Sequence, residues 1–153
     1  MNIETISAVT ALIAVIVGPT VSILIAKKQI KSSVVSKNRQ DWIISLREQV
    51  SELMSDFQYL PNASIDGELQ RNEVLALHKE ILRKSNLVRL HLNMDEQLHI
   101  DLMDNIDQMN KELLQHIRGG LFNYTKMSQM CFDSIEQCSF IVKDEWKKVK
   151  SGE

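Results

Sequence analysis

Between Glu4 and Lys27 the chain carries no Asp, Glu, Lys or Arg, and residues 6–26 are almost wholly apolar. No other feature constrains the molecule as much. At ~1.5 Å per helical residue, 21 residues reach about 32 Å, close to the hydrocarbon thickness of a bilayer. A cleaved export signal would place its basic residues before the apolar core and a small-x-small site after it. The order here is reversed: Glu4 precedes the run, and Lys27, Lys28, Lys31, Lys37 and Arg39 follow it. The expectation is a retained transmembrane helix with the N-terminus outside and the basic flank, with everything after it, in the cytoplasm. Each lysine next to the membrane adds about 1 kcal/mol of attraction to anionic lipid.

Inside this run Ser7, Ala11, Ala14, Gly18 and Ser22 recur at spacings of three and four. That puts small side chains on one helical stripe, where another helix can approach closely, and predicts self-association in the membrane. Gly18-Pro19 interrupts the run. Pro19 has no N–H, so the Val15 carbonyl loses its helical partner and a kink is expected.

Beyond the anchor (1–27) and a basic juxtamembrane linker (28–37), residues 38–153 are of a size for one helical domain. Net charge is −2, and no basic nucleic-acid face emerges, which argues against DNA or long RNA as partner. The distribution is uneven. Residues 27–47 hold six bases and one acid, Asp41, whereas residues 48–117 hold 13 acids and six bases. A basic collar above an acidic body suits a domain held at an anionic surface. Cys131 and Cys138 are seven apart, two turns along one helical face and too far for a disulfide, so they read as buried cytosolic thiols.

The rest is helical in pattern. Ile43, Leu46, Val50, Leu53, Phe57 and Leu60 alternate spacings of three and four, a heptad seam within a helix over 37–60, which residues 61–67 end. A second helix over 68–92 carries Val74, Leu77, Ile81, Val88 and Leu92. Asn93, with Glu96 three residues on, reads as the N-cap of a third. That helix carries Leu98, Leu102, Ile106, Met109, Leu113 and Ile117, and Gly119-Gly120 stops it. A fourth follows with Phe122, Met127, Met130, Cys131, Ile135, Cys138, Ile141, Val142 and Val149. The predicted fold is all-α: one N-terminal transmembrane helix followed by a cytoplasmic antiparallel four-helix bundle. Loop 61–67 and the corner at Arg118 should then share the membrane-distal end. Asn93 and the basic tail around Trp146 should share the end facing the membrane. Glu145 is placed to pair with Arg47.

Three stretches read familiarly together: residues 38–47 (NRQDWIISLR), residues 87–96 (LVRLHLNMDE) with His99 beyond, and residues 141–150 (IVKDEWKKVK). With the preceding anchor they resemble small single-span bacterial membrane proteins with an all-helical cytoplasmic domain. Met94 departs from the proline anticipated after that asparagine. In size and layout the chain also resembles the membrane effectors associated with type III CRISPR systems. That resemblance implies the bacterial inner membrane, a homo-oligomer, antiphage defence, and a cyclic oligoadenylate, such as cyclic tetra-adenylate, as ligand.

No phosphate-binding Gly-rich loop, H-E-x-x-H or nucleophile elbow occurs, so the expectation is a protein that is not an enzyme and needs no cofactor or metal. His91, Asp95 and His99 would stack only on a continuous helix, which Asn93 should break. A cyclic oligonucleotide wants cations or free N–H groups for its phosphates and aromatic faces for its bases. Two clusters offer them. The distal corner has Arg118, Gly119, Gly120, Asn123, Tyr124 and Lys126, with Tyr59, Asn62 and Arg71 near; a basic stripe has Lys79, Arg83 and Lys84. The plainer reading of the stripe is helical ion pairing with Glu80. The alternative function is a membrane-anchored module that docks a partner protein.

Overall fold

The computed structural model describes residues 3–65 and 67–151, without the side chains of 3–14, 16, 31 and 65. It consists of four helices: α1 (Ile3–Ile65), α2 (Arg71–His91), α3 (Gln97–Ile117) and α4 (Tyr124–Ser151). No strand occurs among the described residues.

Anchor, linker and first bundle helix, which the sequence suggests as separate pieces, are one 63-residue helix. The reason is the absence of any breaker: no Gly or Pro stands between Pro19 and Pro61. Residues 28–37 are therefore helical and continuous with both neighbours. The helix also runs through Pro19.

The helix does not end at Pro61, as expected, but runs on to Ile65. Pro61 removes one backbone hydrogen bond, to the Phe57 carbonyl, yet its ring is buried and its own carbonyl accepts the Tyr124 hydroxyl at 3.4 Å. Termination falls to Gly67. Its φ of 71° opens the left-handed region, and the Glu68 N–H closes on the Ala63 carbonyl at 3.1 Å. The start of α2 shifts to Arg71, where the Glu73 carboxylate accepts the Gln70 N–H at 2.7 Å. α3 starts at Gln97, so Asn93 is not its N-cap. Asn93 instead builds the turn before it. Its side-chain oxygen accepts the Asp95 N–H at 3.2 Å, its carbonyl accepts the Glu96 N–H at 3.1 Å, and its amide donates to Glu96 at 3.0 Å.

The heptad seam packs as read. Ile43, Leu46, Val50, Leu53, Phe57 and Leu60 are all at most 3% exposed. They meet Ile81 and Val88 of α2, Leu102, Ile106, Met109 and Leu113 of α3, and Met127, Cys131, Ile141 and Val142 of α4 in one core. Neighbours run antiparallel. α1 meets α4 at Arg39–Glu145, Arg47–Cys138, Met54–Cys131 and Pro61–Tyr124, so each seven or eight residues along one helix retrace about seven of the other. This register corrects one expected pair: Glu145 lies two turns away from Arg47 and pairs with Arg39 at 3.0 Å.

Before the bundle, α1 is joined, among the described residues, only by the end of α4, where Val149 borders a cleft with Ser32, Ser33 and Ser36. Its described side chains from 15 to 35 are exposed, including Ile30, Val34 and Val35. Among the described residues no helix is long and apolar enough to cross a membrane. Most of the apolar run's first half lies outside the side chains described.

Candidate functional site

The distal corner forms, but its groups are largely engaged. Gly119 and Gly120 close α3 rather than open α4: Gly119 has φ 89°, and the Gly120 N–H donates to the Gln115 carbonyl at 2.9 Å. Arg118 is the exposed C-cap of α3. The start of α4 is capped by Asn123, whose side chain accepts the Lys126 N–H at 2.9 Å, so a ligand anion would compete with a built-in cap. The Lys126 ammonium pairs with Glu112 of α3, whose carboxyl is held below its usual range chiefly by that hydrogen bond. Tyr124 and Asn62 share a small cleft of about 90 Å³ with Phe122 and Pro61. Phe122 in turn stacks edge-on against Tyr124 at 4.8 Å and lies 4.9 Å from the His116 ring. Arg71, the first residue of α2, is exposed and outside this cleft.

The basic stripe is mostly neutralised. Arg83 chelates Glu80 one turn back, with contacts of 2.9 and 3.0 Å from Nε. Lys84 crosses to α1 and bonds Asp56 at 2.8 Å and Glu52 at 3.3 Å, and Asp56 above all holds its ammonium pKa up. Lys79 is exposed with no acid partner among the described residues. Lys84 shares a cleft of about 120 Å³ between α1 and α2 with Tyr59, Asp56, Glu80 and Leu77. The structure thus unites Tyr59, half exposed, with the stripe rather than with the corner. Acids balance the cations here, so the cleft offers an aromatic face without a net positive field.

The stretches singled out for their resemblance converge at the opposite end, the one nearest the apolar run. The Trp42 indole N–H donates to the His91 carbonyl at 2.9 Å, and its ring stacks on His99 with centroids 6.4 Å apart. His99 is 4% exposed; its Nδ1 accepts the Asn93 N–H at 2.9 Å, and Nε2 stands 3.6 Å from Glu96. Nδ1 of His91 faces the Leu87 carbonyl at 3.0 Å and must donate to it, which leaves Nε2 to accept from Ser45 at 3.2 Å. Arg39 and Lys148 flank Glu145 on the α1–α4 side. This knot ties α1, the α2–α3 turn and the end of α4 together. Only the spacing of Asn93 and Glu96 hinted at it; the pairing of Trp42 and Arg39 with distant residues depends on the fold.

His91 and His99 therefore serve as latches, and no group of three or more His, Cys, Asp or Glu placed to hold a metal occurs among the described residues. Cys131 and Cys138 are free and buried, and burial pushes both thiols up to about 11, so neither is a ready nucleophile. In the proposed oligomerisation stripe, Gly18 and Ser22 are exposed, and the Ser22 hydroxyl donates to the Gly18 carbonyl at 2.9 Å. Ser7, Ala11 and Ala14 lie outside the described side chains. No known protein family, curated protein or solved structure matches this chain.

Proposed function

We propose that this chain is a non-enzymatic, single-span membrane effector of the bacterial inner membrane, in which the cytoplasmic bundle receives a signal and α1 carries it into the lipid. One observation carries the reading: the apolar run and the heptad seam belong to a single unbroken helix, Ile3–Ile65. A change in how the bundle packs is then a change in how its membrane segment sits, with no flexible joint between them.

The signal proposed is a cyclic oligoadenylate made during phage infection, bound by an oligomer that then perturbs the membrane. Within one copy, of the cations singled out at the distal end, Arg71, Lys79 and Arg118 are exposed and have no acid partner among the described residues, and Tyr59 offers a half-exposed ring. Those four are the side chains this reading assigns to phosphate and base contacts. The ligand must bind the altered packing more tightly than the resting one. A second reading, a module that docks a partner protein, is favoured by the paired state of Arg83, Lys84 and Lys126.

Two measurements test the proposal. The full chain in phospholipid vesicles should resist extraction at high pH; release into the supernatant removes the anchor. Adding cyclic tri-, tetra- and hexa-adenylate to those vesicles should raise the melting temperature of the helices and release a trapped dye. No shift with any of the three removes the nucleotide, leaving protein docking as the bundle's role.

A further inference from the structure

Three exposed apolar side chains gather along the outer seam of α1 and α4: Ile44, Phe132 and Ile135, which are 54, 63 and 50% exposed. Ile135 borders a cavity of about 190 Å³ whose floor is Val50 and Cys138 and whose rim includes Arg47, Ser51 and Ser139. Ile44 lies three residues before Arg47 and seven before Ser51. Phe132 lies three before Ile135 and seven before Ser139. Each is therefore on the same helical face as its part of the rim.

Two observations indicate what covers this surface. The first is charge. Arg47 on the α1 side and Glu136 on the α4 side are exposed, and neither has an ion-pair partner among the described residues. Because Arg47 faces Cys138, Glu136 sits at almost the same height along the bundle. A two-fold axis parallel to the helices preserves height, so it sets Glu136 of one copy beside Arg47 of the other, twice. The surface is complementary to itself, as a two-fold contact requires. The second is continuity along α1. Ala26 stands 18 residues, about five turns, before Ile44 and points the same way, and Ser22 and Ser33 lie within ~40° of that line. All three are small and exposed. The face that presents Ile44 below thus also carries Ser33, Ala26 and Ser22 above, interleaved with Lys37 and Ile30, and a like helix can approach it closely at the small positions.

We propose that a second copy of this chain docks on the α1–α4 seam, forming a parallel two-fold pair whose contact runs from Phe132, Ile135 and Ile44 up to Ala26 and Ser22. The common orientation of the copies rests on the anchor proposed above; the seam contact in the bundle does not.

The full chain in phospholipid vesicles, carrying Phe132→Cys, is treated with a short bis-maleimide. A linked dimer should form readily. Wild type, whose two cysteines are buried, and Leu75→Cys, exposed on α2, should stay single. Adding Arg47→Glu should lower the yield severalfold, and Glu136→Arg alongside it should restore it, an outcome no misfolded variant gives. Linking of Phe132→Cys no faster than Leu75→Cys overturns the seam contact, as does failure of the reversed pair to recover. If the chain washes off vesicles at high pH but Phe132→Cys still links, the anchor falls and the seam stands. If it stays in lipid and does not link, the reverse holds.

Discussion

The α1–α4 seam and the α2–α3 seam face each other across the same core and are built from different chemistry. Along α1–α4, Leu46, Val50, Leu53, Met54 and Phe57 interlock with Cys131, Cys138, Ile141 and Val142, with no side chain of this group more than 5% exposed. α2 and α3 approach closely at few positions, and polar groups occupy what lies between. Ser85 accepts from Asn110 at 3.1 Å, and Arg89 forks onto Asp107 at 2.8 Å. Three buried polar atoms on these two helices, Nε2 of His78, Oδ1 of Asn110 and Nε2 of His116, have no hydrogen-bond partner among the described residues. An apolar seam contributes through area removed from water, whereas a polar seam roughly exchanges one set of hydrogen bonds for another. The difference makes α1 and α4 the spine of the bundle and leaves α2–α3 as the side that opens at least cost.

The comparison can be broken most sharply in the spine. Phe57→Ala empties a fully buried site and should cost about 3–5 kcal/mol in urea unfolding of the bundle; a loss below ~1 kcal/mol would deny α1 its central place. At the corner where α3 turns into α4, Gly119→Ala forces a side chain into φ 89°. Gly120→Ala sets a Cβ 2.9 Å from the Gln115 carbonyl oxygen. Each should cost about 1–2 kcal/mol in the same measurement. On the polar seam the sign should reverse. Ser85→Ala combined with Asn110→Leu removes an orphaned oxygen and should be neutral or stabilise by up to ~1 kcal/mol. The smallest effect is with pH. Burial holds the pKa values of His78 and His116 below the ordinary 6.5, so the unfolded chain takes up protons first. Stability present above about pH 6.5 should decline as pH falls through that value toward the folded pKa values, and His78→Gln with His116→Gln should flatten the decline.

What the sequence made legible follows from the range of each interaction. The heptad seam was readable because a period of three and four is a local signal, and every seam position predicted on α1 is buried. Helix ends were less so. Pro61 and Asn93 are sound local signals for a break and a cap, yet α1 runs past Pro61, whose carbonyl accepts the Tyr124 hydroxyl from α4, and His99 takes the Asn93 N–H. The sequence pattern places Glu145 beside Arg47, two turns from its partner Arg39, because the α1–α4 register is set by packing across nearly the whole chain. The candidate ligand cations fared the same way. Lys126 looks free in sequence because Glu112 reaches it from α3, and Lys84, which sequence places against Glu80 on its own helix, is held instead by Asp56 of α1. The knot around Trp42 is not legible in sequence, since its members are individually ordinary and only the fold assembles them.

One consequence of the length of α1 concerns leverage. From Arg39, where the ion pair with Glu145 grips it at the near end of the bundle, to Gly18 is 21 residues, about 32 Å of helix. A tilt of ~5° at that grip would swing the upper arm sideways by roughly 3 Å, about a quarter of the diameter of a helix. Small rearrangements among side chains around Arg39 and Trp42 are thereby magnified toward Gly18, so the molecule has no need of a large hinge to make its upper half move.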